Sequence, residues 1–192
     1  MDYSILVNRD NPLDENYVPS NLVVYPEYNG PKIDSNHKTL VEEVALNAFY
    51  EMQSIALRET GYCFIVDSAY RSYEYQQKIL KHNLELNGDE AYNYVALPGT
   101  SEHQTGLAID IALNVNGEYT DQFDDTFPQI KWLFANAYRF GFILRYPKGM
   151  ENITGYKYEC WHFRYVGKDI ALYMHNNNIS TLEEYHELIR NK

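Results

Sequence analysis

Leu107-Ala108-Ile109-Asp110-Ile111-Ala112-Leu113 alternates with a period of two, and a carboxylate stands in the middle of it. On a strand, Leu107, Ile109, Ile111 and Leu113 share one face, and Ala108, Asp110 and Ala112 share the other. The first face needs a core to cover it. The second carries a charge that is costly to bury unless it is paired or metal-bound. The two alanines beside Asp110 leave space above the strand for an ion and a small ligand. A salt bridge to an arginine at the sheet edge is the plainer reading of Asp110 taken alone.

His103 lies seven residues before Asp110, in Ser101-Glu102-His103-Gln104-Thr105-Gly106. On one continuous strand that odd spacing puts the two side chains on opposite faces. His103 must therefore enter from the preceding loop, with Gly106 allowing the chain to turn close to the metal. A second segment, Glu159-Cys160-Trp161-His162-Phe163-Arg164-Tyr165, offers another imidazole and a spare glutamate. His162 and Arg164 share one face of a strand; Trp161, Phe163 and Tyr165 share the other and are expected to pack the core. Glu159 reaches the same site only if the strand starts, or bulges, between it and His162. Two imidazoles, a buried carboxylate and a spare glutamate are what a catalytic zinc needs: three ligands, an open position and a base. Singly, each of these residues has a duller reading as a structural histidine or a solvated glutamate. Their combination reverses that.

Arg71 follows an expected strand and precedes a helix, where a cation can stabilise developing negative charge. Its simpler reading is a salt bridge to one of the many acids. Gln76 is a plausible donor to a ligand carboxylate. His37, His82, His175 and His186 lie in polar helical contexts and read as solvated. Cys63 and Cys160 do not make a disulfide framework in a chain of 192 residues, and Cys160 is read as neither ligand nor nucleophile.

The length fits one domain, residues 1–192, with a sizeable core. A net charge of −11 repels phosphate backbones and anionic membranes, which argues against nucleic-acid and membrane partners. The N-terminus lacks the basic and apolar regions of a secretory signal, and no apolar stretch approaches a membrane span, so a cytoplasmic location is expected.

Along the chain, Val23 and Val24 read as a short strand. A helix capped by Asp34 or Ser35 is expected to run to about residue 59, with Leu40, Val44, Ala48, Met52, Ile55 and Ala56 on its apolar stripe and Gly61 at its end. A strand over 63–70 precedes a helix over 73–86 capped by Ser72. Asn116-Gly117 marks a hairpin. A helix is expected over 128–140, strands over 142–146 and 158–166, and a helix over 167–175. Thr181-Leu182-Glu183-Glu184 is a capping box opening a last helix. The sum is an α+β domain, its central sheet mostly antiparallel and flanked by helices.

The two motifs, Ser-x-His-x-x-Gly-x-Ala-x-Asp from Ser101 and Glu-x-Trp-His-x-Arg-Tyr from Glu159, resemble those of the zinc D,D-peptidases of the VanX/VanY group. Ser68-Ala69-Tyr70-Arg71-Ser72 with Gln76 matches a third motif of the group. Further likeness, at Asn11-Pro12-Leu13, Ala96-Leu97-Pro98-Gly99, Gly141 to Pro147 and Thr181 to His186, extends over nearly the whole chain and is closest to the bifunctional VanXY type. The resemblance implies the fold of that group, shared with hedgehog domains. It makes His103, Asp110 and His162 ligands of Zn2+, Glu159 the general base and Arg71 the stabiliser of the tetrahedral intermediate. Ser101 and Gln76 would hold the terminal carboxylate of a small peptide substrate, D-Ala-D-Ala or the pentapeptide cell-wall precursor. The implied activity is D,D-dipeptidase or D,D-carboxypeptidase, contributing to vancomycin resistance. L,D-carboxypeptidase, stem-peptide endopeptidase and non-catalytic zinc module are the alternatives. The chain departs from the group where Cys160 replaces a proline.

Overall fold

The computed structural model describes residues 2–26 and 38–191. A small antiparallel pair comes first, β1 (Leu22–Val24) against β2 (Leu40–Glu42). Helix α1 (Glu43–Thr60) follows at once and ends at Gly61, which has φ +77. Next come β3 (Cys63–Ser68) and α2 (Tyr73–Asn87), whose first turn is capped by the Ser72 hydroxyl accepting from Tyr75 N–H. A 3-10 turn at Glu102–Thr105 leads into β4 (Ala108–Val115), which turns back through Asn116-Gly117 into β5 (Glu118–Thr120). Helix α3 (Pro128–Asn136), β6 (Phe142–Leu144), the single turn α4 (Glu151–Thr154) and β7 (His162–Tyr165) precede α5 (Lys168–Asn176) and α6 (Leu182–Arg190).

The main sheet runs β3-β4-β7-β6, with β5 paired to the far end of β4, and every described pairing is antiparallel. Leu107, Ile109, Ile111 and Leu113 enter the core as their alternation requires. There they meet Phe49 and Met52 of α1, Leu133 of α3, Phe142 and Phe163. Each such side chain contributes roughly 1.5–3 kcal/mol through burial. A smaller cluster of Ile143, Val166, Ala171, Met174 and Leu182 holds α5 and α6 to the sheet.

Three expectations need correction. Leu40 lies in a strand, not on the helix: pairing of Leu22–Val24 with Leu40–Glu42 keeps the chain extended until Glu43. The proposed caps Asp34 and Ser35 lie outside the described residues. The strand expected over 158–166 is only His162–Tyr165, so Trp161 falls outside the pleat and is 39% exposed instead of packing the core. Cys160 takes the inward place and is buried in the core. Helix α3 stops at Asn136 and continues as a 3-10 turn to Phe140, ended by Gly141.

Candidate active site

Strand register builds the centre of the site. Asp110 on β4 lies opposite His162 on β7, and Ser68 on β3 lies opposite Asp110 from the other side. Directly opposed residues of an antiparallel pair have Cβ atoms about 4.5–5.5 Å apart, so both side chains emerge together on the face away from the core. The β3–β4 register shifts between Val66 and Ser68, which ends regular pairing just before Arg71. His103 arrives from the 3-10 turn, as its odd spacing from Asp110 demands. Gly106 ends that turn at φ +69, donating its N–H to the His103 carbonyl. Its close neighbours are Leu22 and Glu42, so a side chain there would strike the β1–β2 layer. β7 starts at His162, which frees Glu159 to swing back toward it.

His103 Nε2 lies 3.2 Å from Asp110 Oδ2, and His162 Nδ1 lies 3.0 Å from Asp110 Oδ1. Glu159 Oε2 is 3.6 Å from His162 Nδ1. One donor atom from each of His103, Asp110 and His162 falls within 4.8 Å of the others, and all three residues are buried. His103 Nδ1 sits 2.6 Å from the Ala69 carbonyl, which only accepts, so Nδ1 carries the hydrogen and Nε2 presents its lone pair. Asp110 Oδ1 is buried without a hydrogen-bonding partner, 3.0 Å from His162 Nδ1. A buried carboxylate oxygen left without a donor, beside two inward-facing imidazole nitrogens, fits a divalent cation. Two imidazoles and a carboxylate suit zinc.

In the metal-free protein, burial and neighbouring charges push these groups in different directions. Burial pushes the Glu159 carboxyl up to about 7, Asp110 adds to this, and His162 and Arg71 oppose it. Burial pulls His103 down to about 4, with Arg71 acting in the same direction. Burial also opposes charge on His162, but the carboxylates of Asp110, Glu102 and Glu159 outweigh it and raise the imidazole to about 9. Asp110 is held well below the carboxylate range; burial is overcome by the two histidines.

Arg71 Nη2 donates to Asp110 Oδ2 at 2.8 Å, and its Nε donates to Ser68 Oγ at 3.0 Å. Its simpler reading as an ion pair is therefore also realised, with a candidate metal ligand as partner. Gln76 is buried; its Nε2 donates to the Ala96 carbonyl at 2.9 Å and its Oε1 has no partner. All seven residues singled out in the sequence line one cleft of about 220 Å3. Tyr94, Tyr146 and Tyr156 also line it without being singled out in the sequence, as does Trp161, which the alternation assigns to the core. Nineteen tyrosines carry no signal of which three, Tyr94, Tyr146 and Tyr156, face the cleft.

Behind the cleft lies a buried charge network that the sequence reading missed. Glu102 Oε1 accepts from Arg145 Nε at 2.7 Å and from Arg164 Nη1 at 2.8 Å. Arg145 also makes a two-pronged contact with Glu183, at 2.7 and 2.8 Å. Arg164 Nη2 donates to the Tyr3 and Ile5 carbonyls. A guanidinium inside an apolar run, as at Phe142-Ile143-Leu144-Arg145, needs a carboxylate partner, and that was the available signal.

Residues 38–168 match the model of the VanY family, D-alanyl-D-alanine carboxypeptidase. YodJ of Bacillus subtilis (strain 168), named as a carboxypeptidase, is 43% identical over 187 residues, covering 96% of this chain and 67% of that one. The bifunctional D-Ala-D-Ala dipeptidase and D-Ala-D-Ala carboxypeptidase VanXYC of Enterococcus gallinarum is 35% identical over 198 residues, covering 96% and 93%. The chain thus spans about two thirds of YodJ and most of VanXYC. Among solved structures, the LdcB LD-carboxypeptidase superposes with TM-score 0.82 at 43% identity, covering 95% of this chain and 84% of that one. A VanY D,D-pentapeptidase variant from a VanB-type resistance cassette, in complex with Zn(II), superposes with TM-score 0.78 at 32% identity, covering 96% and 99%.

Proposed function

This chain belongs to the VanY family of D-alanyl-D-alanine carboxypeptidases, and we propose that it is a zinc-dependent peptidase that releases D-alanine from D-Ala-D-Ala ends. Its substrates are the free dipeptide and the pentapeptide cell-wall precursor, and its effect is to remove the target of vancomycin. The observation that carries this reading is the convergence of His103, Asp110 and His162 with Glu159 on one cleft. A base raised toward neutrality beside a buried two-histidine, one-carboxylate donor set is the equipment of a metallopeptidase.

His103, Asp110 and His162 would hold the ion. Bound there, zinc would supply Lewis acidity toward a water and the scissile carbonyl. Glu159 takes the proton from that water and later delivers it to the leaving amine. Burial raises this carboxyl in the metal-free protein, the direction that favours a group able both to take and to return a proton. Arg71 is the only arginine or lysine lining the cleft among the described residues, and it stabilises the oxyanion. Ser101 offers its hydroxyl to the substrate's terminal carboxylate. Gln76 offers the amide hydrogen that Ala96 leaves free, and its Oε1 can accept a substrate N–H.

The likeness to LdcB favours a second reading, L,D-carboxypeptidase action on tetrapeptide stems by the same machinery. D-alanine release from D-Ala-D-Ala, pentapeptide and tetrapeptide, each with and without chelator, separates the two. Chelator-sensitive release from dipeptide and pentapeptide is expected. Release from tetrapeptide alone would replace the D,D reading with the L,D one. Release from none, with zinc bound, would move the chain to stem-peptide cleavage or to a non-catalytic zinc module.

A further inference from the structure

Glu102 does not line the cleft, yet one of its oxygens lies 3.8 Å from a candidate metal ligand. Oε1 is taken by the two buried arginines, Arg145 and Arg164. Oε2 has no hydrogen-bonding partner and lies 3.8 Å from His162 Nε2, which is itself buried and unpartnered. The opposite ring nitrogen, Nδ1, faces Asp110 and Glu159. The His162 ring thus stands between the cleft on one side and Glu102 on the other. His103, the companion histidine, has its outer nitrogen tied to a backbone carbonyl instead.

An imidazole offers one nitrogen to a metal only while the other carries the hydrogen, and the group facing that other nitrogen decides which is which. A carboxylate clasped by two guanidiniums can only accept.

We propose that Glu102 is a positioning residue for metal binding: it keeps the hydrogen of His162 on Nε2, so that Nδ1 presents its lone pair to the ion. The inference rests on His103, Asp110 and His162 being the metal ligands. Arg145 and Arg164 serve it by fixing Glu102 in place, and Glu183 and the N-terminal carbonyls of Tyr3 and Ile5 fix the arginines in turn.

Glu102→Gln tests this sharply. Both arginines only donate, so the amide oxygen stays with them and the amide nitrogen turns toward His162. That nitrogen donates, which requires Nε2 to accept and moves the hydrogen to Nδ1, the ligand atom. The measurements are zinc affinity of the full-length protein by competition with a chromophoric chelator, the visible spectrum after cobalt(II) substitution, and thermal melting. Glu183→Gln is the control, since it breaks the same network without facing His162.

The expected result is an affinity loss on the order of 10- to 100-fold and an altered cobalt spectrum in Glu102→Gln. Glu183→Gln should melt earlier but keep wild-type affinity and spectrum. Unchanged affinity and spectrum in folded Glu102→Gln would overturn the proposal, as would equal weakening in both variants. If Glu102→Gln does not fold, Glu102→Asp retains the charge and draws it back by one methylene. Weaker zinc binding by folded Glu102→Asp supports the proposal, and unchanged binding overturns it. A wild-type protein that binds no zinc would instead sink the underlying ligand assignment.

Discussion

Glu159 carries two opposed demands. In the proposed role of base it must be ionised near neutral pH, yet in the metal-free protein burial makes its charge unfavourable and raises it from 4.5 to about 7. An acid whose folded value exceeds its unfolded one destabilises the fold as it ionises. The penalty is absent below about pH 4.5 and complete above about pH 7, where linkage puts it on the order of 3 kcal/mol at most. Glu159→Gln should therefore raise the melting temperature of the metal-free protein at pH 8 and leave it nearly unchanged at pH 4. Equal effects at both pH values would show that packing, not ionisation, sets the difference. Arg71 is tested by its kinetic signature. If it meets charge that develops in the transition state, Arg71→Ala should lower kcat by roughly 10²–10³-fold with zinc content retained. A rise in KM alone would make it a ground-state substrate contact.

At the scale of elements, the site is a product of register. A one-residue slip of β7 against β4 would carry His162 to the core face and Phe163 into the cleft. Gly141 helps hold β6 beside β7: its carbonyl accepts from Val166 N–H at 2.8 Å. With φ +92, an added Cβ would meet the Tyr165 ring at 2.7 Å and the backbone of Gly167 and Lys168 at 3.0 Å. Gly149 shares the left-handed backbone, at φ +85, but faces open space. Gly141→Ala should therefore cost clearly more stability than Gly149→Ala, beyond the roughly 1–3 kcal/mol that such a backbone conformation alone brings. Chemical denaturation of both variants checks this; equal losses would mean that the neighbours give way. Strand β4, the Asn116-Gly117 hairpin and the Thr181 capping box were legible because local periodicity and turn chemistry decide them. The start of α1 was not, because pairing with β1 overrides helix propensity at Leu40. The exposure of Trp161 was hidden too, since alternation is informative only within a strand and β7 begins one residue later.

For the molecule as a whole, the seven cleft residues were legible because the ligand types are few and their spacings restrictive. The arginine–glutamate network behind them was not, because its partners lie 43 and 62 residues apart and only the folded sheet brings them together. Among the described residues, no helix is long and apolar enough to cross a membrane. The two charge systems divide the labour. The cleft gathers the proposed catalytic groups, and the network behind it ties Glu102, Arg145, Arg164 and Glu183 together. The central claim is that Glu159 performs proton transfer in a zinc site built by other residues. The most direct measurement is D-alanine release by Glu159→Ala, with zinc content determined on the same preparation. The account predicts zinc retained and release abolished. Undiminished release with zinc bound would contradict it.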